Sequence, residues 1–125
     1  MADKLTLDDI LNMVRWWQNA FALWQWKIRV KQAKHADGRV SMKVDWVYHY
    51  RQVTLTVLPL ARKQSRERAW HDVCHELLHV VFFPVEETLA RDIEKGRVFD
   101  DWHDAMESCV DALTNALVEL HPLGS

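Results

Sequence analysis

Trp70-His71-Asp72-Val73-Cys74-His75-Glu76-Leu77-Leu78-His79-Val80-Val81-Phe82-Phe83 is the stretch on which the reading of this chain turns. At about 100° per residue, a helix sets His79 only about 40° round from His75 and one turn further along. Two imidazoles can then share one metal ion, and Glu76 stands beside the position that such a metal leaves open. His75-Glu76-Leu77-Leu78-His79 is thus the H-E-x-x-H arrangement, in which two histidines hold zinc and the Glu acts as general base. The flanks agree with it. Trp70, Val73, Cys74, Leu77, Leu78, Val80 and Val81 wrap most of the circumference with apolar side chains, as in a buried helix. Asp72, His75, Glu76 and His79 share the remaining wedge, with His71 at its edge. Two hydrogen-bonded histidines on a core helix would give the same letters. Polar groups confined to one wedge of a buried helix need partners, however, and a metal ion is the simplest one.

A catalytic zinc site normally has three protein ligands and one open position. The third ligand is read as Glu107, with Asp111 one turn on and about 40° away. One carboxylate can bind the metal while the other accepts the free N–H of a ligand histidine and fixes its tautomer. His103, one turn before Glu107 on nearly the same face, competes as a ligand and would make a three-histidine site. Glu86 and Glu87 are set aside because they follow Pro84 too closely to fold back. Cys74 points about 100° away from His75, so it and Cys109 are read as small core residues.

Along the chain, Thr6-Leu7-Asp8-Asp9 reads as a capped helix start, and Leu7, Ile10, Leu11, Val14, Trp17 and Phe21 carry an amphipathic helix over 7–23. The period then switches to two. Trp26, Ile28 and Val30 alternate with Lys27, Arg29 and Lys31, and Val40, Met42, Val44 and Trp46 with Ser41, Lys43 and Asp45. Ala36-Asp37-Gly38 is the turn between them, and Val53–Val57 is a third strand ended by Pro59. Three consecutive strands suggest an antiparallel meander. Pro84 is expected to stop the motif helix, Val85–Lys95 to form a short helix ending at Gly96, and Asp100–Leu120 to form the last. Met106, Val110, Leu113, Leu117 and Leu120 are the expected core stripe of that last helix.

With 125 residues and 49% hydrophobic content, the chain is expected to be a single domain over 1–125, with residues 1–5 and 122–125 as disordered tails. Net charge −2 and a pI near 6.4 give no global pull toward nucleic acid or anionic membrane. Arg62, Lys63, Arg66 and Arg68 lack interleaved aromatics and are read as a solvated face, so nucleic acid is not an expected partner. Met1–Asp9 has no apolar h-region, and no apolar run approaches membrane-spanning length. Two cysteines in helical patterns suit a reducing, cytoplasmic setting.

Taken together, these residues resemble the small H-E-x-x-H zinc metallopeptidase-like proteins of bacteriophages and bacteria, minimal relatives of the gluzincins. The likeness rests on Trp26–Val30, Val53–Val57, and His75–His79 with Glu107 and Asp111, over roughly residues 5–120. It implies Zn2+ held by His75, His79 and Glu107, Asp111 supporting a ligand, and Glu76 as the base of peptide-bond hydrolysis. It also implies a zincin-like α+β fold: an N-terminal helix, a three-stranded mostly antiparallel sheet, the motif helix and a closing C-terminal helix. A peptide or protein substrate would lie extended along an edge strand, in the host cytoplasm for a phage-encoded chain. No residue matches a family position for stabilising the tetrahedral intermediate, although Tyr48, His49, Tyr50 and His103 have suitable side chains. The alternative is a zinc-binding regulatory or interaction protein that keeps the site without hydrolysis.

Overall fold

The structure, a computed structural model, describes residues 5–47, 51–94 and 101–124. Its order is α1 (Leu7–Ala20), β1 (Lys27–Gln32), β2 (Met42–Val47), β3 (Gln52–Val57), α2 (Pro59–Arg62), α3 (Arg66–Glu94) and α4 (Trp102–Leu120). This is the α+β layout expected from the sequence.

Thr6 starts α1 with a capping box: its hydroxyl accepts from the Asp9 amide at 3.1 Å, and the Asp9 carboxylate accepts from the Thr6 amide at 2.9 Å. Ile10, Met13, Val14 and Trp17 then face inward. The sheet is mixed rather than a meander. Its order is β1-β3-β2, with β3 parallel to β1 and antiparallel to β2. Side-chain chemistry explains the order. β3 carries Thr54 and Thr56 on its outward positions and can be flanked on both sides, whereas β1 and β2 alternate charged residues there and make solvated edges. Val53, Leu55 and Val57 face inward and are buried, with Ile28, Val30, Val44 and Trp46 packed beside them.

α3 is the central element, packing against α1, α4 and β2. It does not stop at Pro84 but runs through it as one 29-residue helix. Proline removes one intrahelical hydrogen bond and crowds the preceding turn. Burial of Leu77, Leu78, Val80 and Phe83 just before it, and of Glu86 just after, holds the helix together across the gap. The separate helix expected over Val85–Lys95 is therefore the last part of α3, as far as Glu94; Lys95 and Gly96 lie outside the described residues. Trp70 stacks with Trp16 and Trp17, and its Nε1 donates to the His121 carbonyl at 2.8 Å, closing α4 onto the helical layer.

α4 is rotated from its expected setting. Met106, Val110, Thr114 and Leu117 face the core, while Leu113 and Leu120 are exposed and Cys109 is on the surface. The rotation is a few tens of degrees toward the Glu107 side, and Thr114 tolerates burial because its hydroxyl donates to the Val110 carbonyl at 2.7 Å. Leu5 is buried and Leu123 packs on the core.

Leu55 and Leu113 should therefore separate clearly in denaturation. Leu55→Ala is expected to cost about 2–5 kcal/mol, the range for a fully buried leucine. Leu113→Ala, on the exposed side of α4, should cost less than about 1 kcal/mol. Urea unfolding of both variants checks this, and equal losses would contradict the observed rotation of α4.

Candidate metal centre

α3 presents His75 and His79 one turn apart, and both turn Nε2 toward α4. The two Nε2 atoms are 3.3 Å apart. Glu107 reaches across from α4, its Oε1 2.9 Å from His79 Nε2 and its Oε2 3.4 Å from His75 Nε2. The ligand-type atoms of these three residues all lie within 4.8 Å of one another. Tetrahedral ligands about 2.0–2.1 Å from a shared zinc stand about 3.3 Å apart, so the spacing suits that ion.

The far side of each ring matters as much. His75 Nδ1 meets Asp111 Oδ1 at 3.1 Å, and His79 Nδ1 meets Glu86 Oε1 at 3.0 Å. Each Nδ1 thus has a carboxylate to which it can donate, and in that tautomer a shared metal would meet both Nε2 lone pairs at the same point beside Glu107. The two supports differ in strength. The Glu86 side chain is 11% exposed and that of Asp111 60%, so water screens the second far more. The other Glu86 oxygen, Oε2, is buried with no hydrogen-bond partner among the described residues. Such a group is held at a cost unless something in the site engages it.

The electrostatics follow this layout. Burial alone would push His79 down, but its hydrogen bond to Glu86 and the charges of Glu86, Glu107 and Glu76 outweigh it and hold its pKa above the ordinary histidine value. Burial and the neighbouring His79 lower the pKa of His75, against the pull of Glu107 and Asp111. Glu76 is pushed up to about 7, chiefly by burial, with His79 opposing and Glu107, Asp72 and Glu86 reinforcing. Its carboxylate makes no hydrogen bond or ion pair among the described residues, and it lines two cavities, of about 300 and 220 Å3, on either side of it along β2.

The residues singled out in the sequence are distributed as follows. His75, His79 and Glu107 come together, Asp111 supports His75, and Glu76 stands beside them. His103 lines the same cavity with its ring against Trp102, at 5.5 Å, and is outside the three-residue group. Tyr48, His49 and Tyr50 lie outside the described residues. Asp72 is a tie rather than a ligand: it accepts from Ser41 Oγ at 2.7 Å and pairs with Arg68 at 3.2 Å, joining the start of β2 to α3. Cys74 is buried, its thiol pushed up to about 12, and takes no part in the ligand group.

Glu86 overturns the expectation that it lies too close to Pro84 to reach the site. The chain does not need to fold back. Because α3 continues, Glu86 is seven residues beyond His79, two turns along and on the same face. That spacing was present in the sequence, but it has meaning only if the helix passes through the proline.

The chain matches no family model, no curated protein and no solved structure, so any reading of the site rests on this geometry.

Zinc titration against a competing chelator should rank these residues. Glu107→Ala is expected to weaken binding most, and Glu86→Ala and Asp111→Ala by about 10–100-fold, with the buried Glu86 costing more. His103→Ala should change little. Loss of binding in His103→Ala with retention in Glu107→Ala would mean a different ligand set.

Proposed function

We propose that this protein is a zinc-dependent peptidase. The observation that carries the proposal is the convergence of His75 Nε2, His79 Nε2 and Glu107, with each imidazole held from behind by its own carboxylate. Three ligands leave a fourth position, which is the pattern of catalytic rather than purely structural zinc sites. Zinc bound there would supply Lewis acidity, polarising a carbonyl and lowering the pKa of water.

The remaining work falls to the chain's own groups. Glu76 is beside the ligands without being one, and its carboxylate is free of hydrogen bonds among the described residues. It takes the proton of the attacking water and delivers it to the leaving amine. β2 is an edge strand whose second edge is unpaired among the described residues, and both cavities beside Glu76 are lined by it. An extended peptide substrate can add to that edge through main-chain hydrogen bonds, with side chains entering the cavity flanked by Lys43 and Trp46. His103, in the same cavity but outside the ligand group, is assigned to the developing oxyanion. The free Cys74 and Cys109 suit action in a reducing cytoplasm. The modest size of the cavities favours a second reading, a zinc-binding regulatory protein without hydrolytic activity.

Glu76→Gln separates the two readings. The variant keeps the shape of the side chain but cannot take a proton, so it should bind zinc and melt like wild type. Its cleavage of an unbiased peptide library should fall on the order of a hundredfold or more. If wild type cleaves nothing across the library, or the variant cleaves as well, the peptidase proposal fails and the regulatory reading replaces it.

A further inference from the structure

The apolar side chains of the sheet pack with the helices on one side; on the other face Lys27, Arg29, Lys31, Lys43, Asp45 and Gln52 are exposed, while Thr56 is buried between its neighbours. Register defines that face row by row: Lys27 beside Gln52, Arg29 beside Thr54 and then Asp45, and Lys31 beside Thr56 and then Lys43. The side chains of Lys27, Arg29 and Lys31 are exposed and make no ion pair or hydrogen bond among the described residues. Asp45 is the one acid on the described strands of this face, and Asp37 in the β1–β2 connection pairs with Lys43 at 3.6 Å. Where β1 ends, the positive charge continues into a cavity of about 600 Å3, whose lining includes Lys34, Arg62 and Lys63 and no acidic residue.

This arrangement divides the cluster that the sequence suggested. Arg66 pairs with Asp9 at 3.4 Å and Arg68 with Asp72 at 3.2 Å, so both already have a carboxylate partner at the surface. Arg62 and Lys63 instead join Lys34 around the cavity, and Arg62 is anchored by its Nε donating to the Leu5 carbonyl at 3.2 Å. The segregation is visible along the whole chain. Residues 27–68 hold eleven of the sixteen Lys and Arg but three of the eighteen Asp and Glu. A net charge of −2 therefore conceals a strongly basic sheet face backed by acidic helices. Such a dipolar molecule presents one face to a polyanion and turns the other away. Blunting an edge strand requires a charge or two. That requirement explains neither the continuous row on β1 nor the acid-free cavity beyond it.

We propose that this face binds the phosphate backbone of double-stranded nucleic acid. Successive outward side chains on β1 stand about 6.6 Å apart, close to the axial rise of two base pairs. Gln52 and Thr54 lie beside the cations as neutral hydrogen-bond donors, the kind that commonly contact phosphate. Trp26 and Trp46 point to the opposite, inner side of the sheet, so the described strands offer no aromatic platform on the basic face for stacking unpaired bases. The contact is accordingly with backbone rather than base, tolerant of sequence and strongly dependent on salt. It is also independent of the metal centre, which lies beyond β2 at the α3–α4 seam.

The test is fluorescence anisotropy with the full chain and labelled duplexes of about 20 base pairs, DNA and RNA of one sequence, titrated across salt concentrations. Both duplexes should bind at low salt, and the tighter one identifies the source of the backbone. Affinity should fall with a log–log slope of about −4.5 to −5.5, for five or six cations engaged. Lys27→Glu/Arg29→Glu/Lys31→Glu should weaken binding at least about tenfold and make the slope shallower by about 3. Lys34→Glu/Lys63→Glu, outside the strands, provides a second variant whose fold the sheet does not limit, and it should also weaken binding. Arg15→Glu, exposed on α1, and Glu107→Ala at the metal centre should bind as wild type does. The proposal is overturned if wild type binds neither duplex at low salt, or if both charge-reversal variants, melting normally, bind as well as wild type. Equal or stronger binding to a single strand, to polyglutamate or to phosphatidylserine vesicles also overturns it. None of these outcomes bears on the peptidase proposal, which Glu76→Gln tests separately.

Discussion

Two imidazoles embedded in an apolar helix must each find a partner for both ring nitrogens, and much of the fold is arranged to satisfy them. His79 takes Glu86 from its own helix and Glu107 from α4, and His75 takes Asp111 and Glu107 from α4. The first demand requires α3 to remain helical past Pro84. The second fixes how α4 is turned against α3, because Glu107 and Asp111 reach the histidines only if the core stripe is rotated toward them. Leu113 and Leu120 are left exposed as a result, and Thr114 is buried in their stead.

The same polar seam explains the charge on Glu76. Glu76 is buried beside Glu107, Asp72 and Glu86, so a further ionised carboxylate there meets both desolvation and like charge. A divalent cation shared by the three ligands would relieve that crowding. The ligand set and the general base of the proposed chemistry are thus coupled by electrostatics as well as by position.

The parts of this arrangement that were legible in the sequence are those fixed by helical spacing within one element. His75 with His79, and Glu107 with Asp111, are each four residues apart, and a helix leaves little choice about where such pairs point. Glu86 obeys the same rule at seven residues but was hidden by a proline whose effect depends on the packing around it. Alternation identified the inward residues of β1 and β2, except Val40, which precedes β2 and is exposed. It could not say which strands are neighbours, since period two describes faces and not edges. The strand order was encoded more faintly, in the threonines of β3 against the charges of β1 and β2. Rotation of α4 was not legible, because Leu113 and Thr114 differ in hydropathy in the wrong direction, and what decides between them is the carboxylates' need to meet α3.

The mixed sheet has a consequence for how the chain reaches this fold. Every β1–β3 partner pair is 25 residues apart in sequence, whereas β2–β3 partners are between 5 and 15 apart. Antiparallel pairing can therefore zip outward from its short connection, each step closing little new loop. Parallel pairing must pay the whole loop-closure entropy with its first contact and gains the rest at no further topological cost. β1 and β2 do not touch, so β1 has nothing to join until β3 is in place. Assembly of the sheet is thus ordered, a local hairpin first and the docking of β1 second. The late, nonlocal step is the one that brings α1 and the tryptophan cluster against α3.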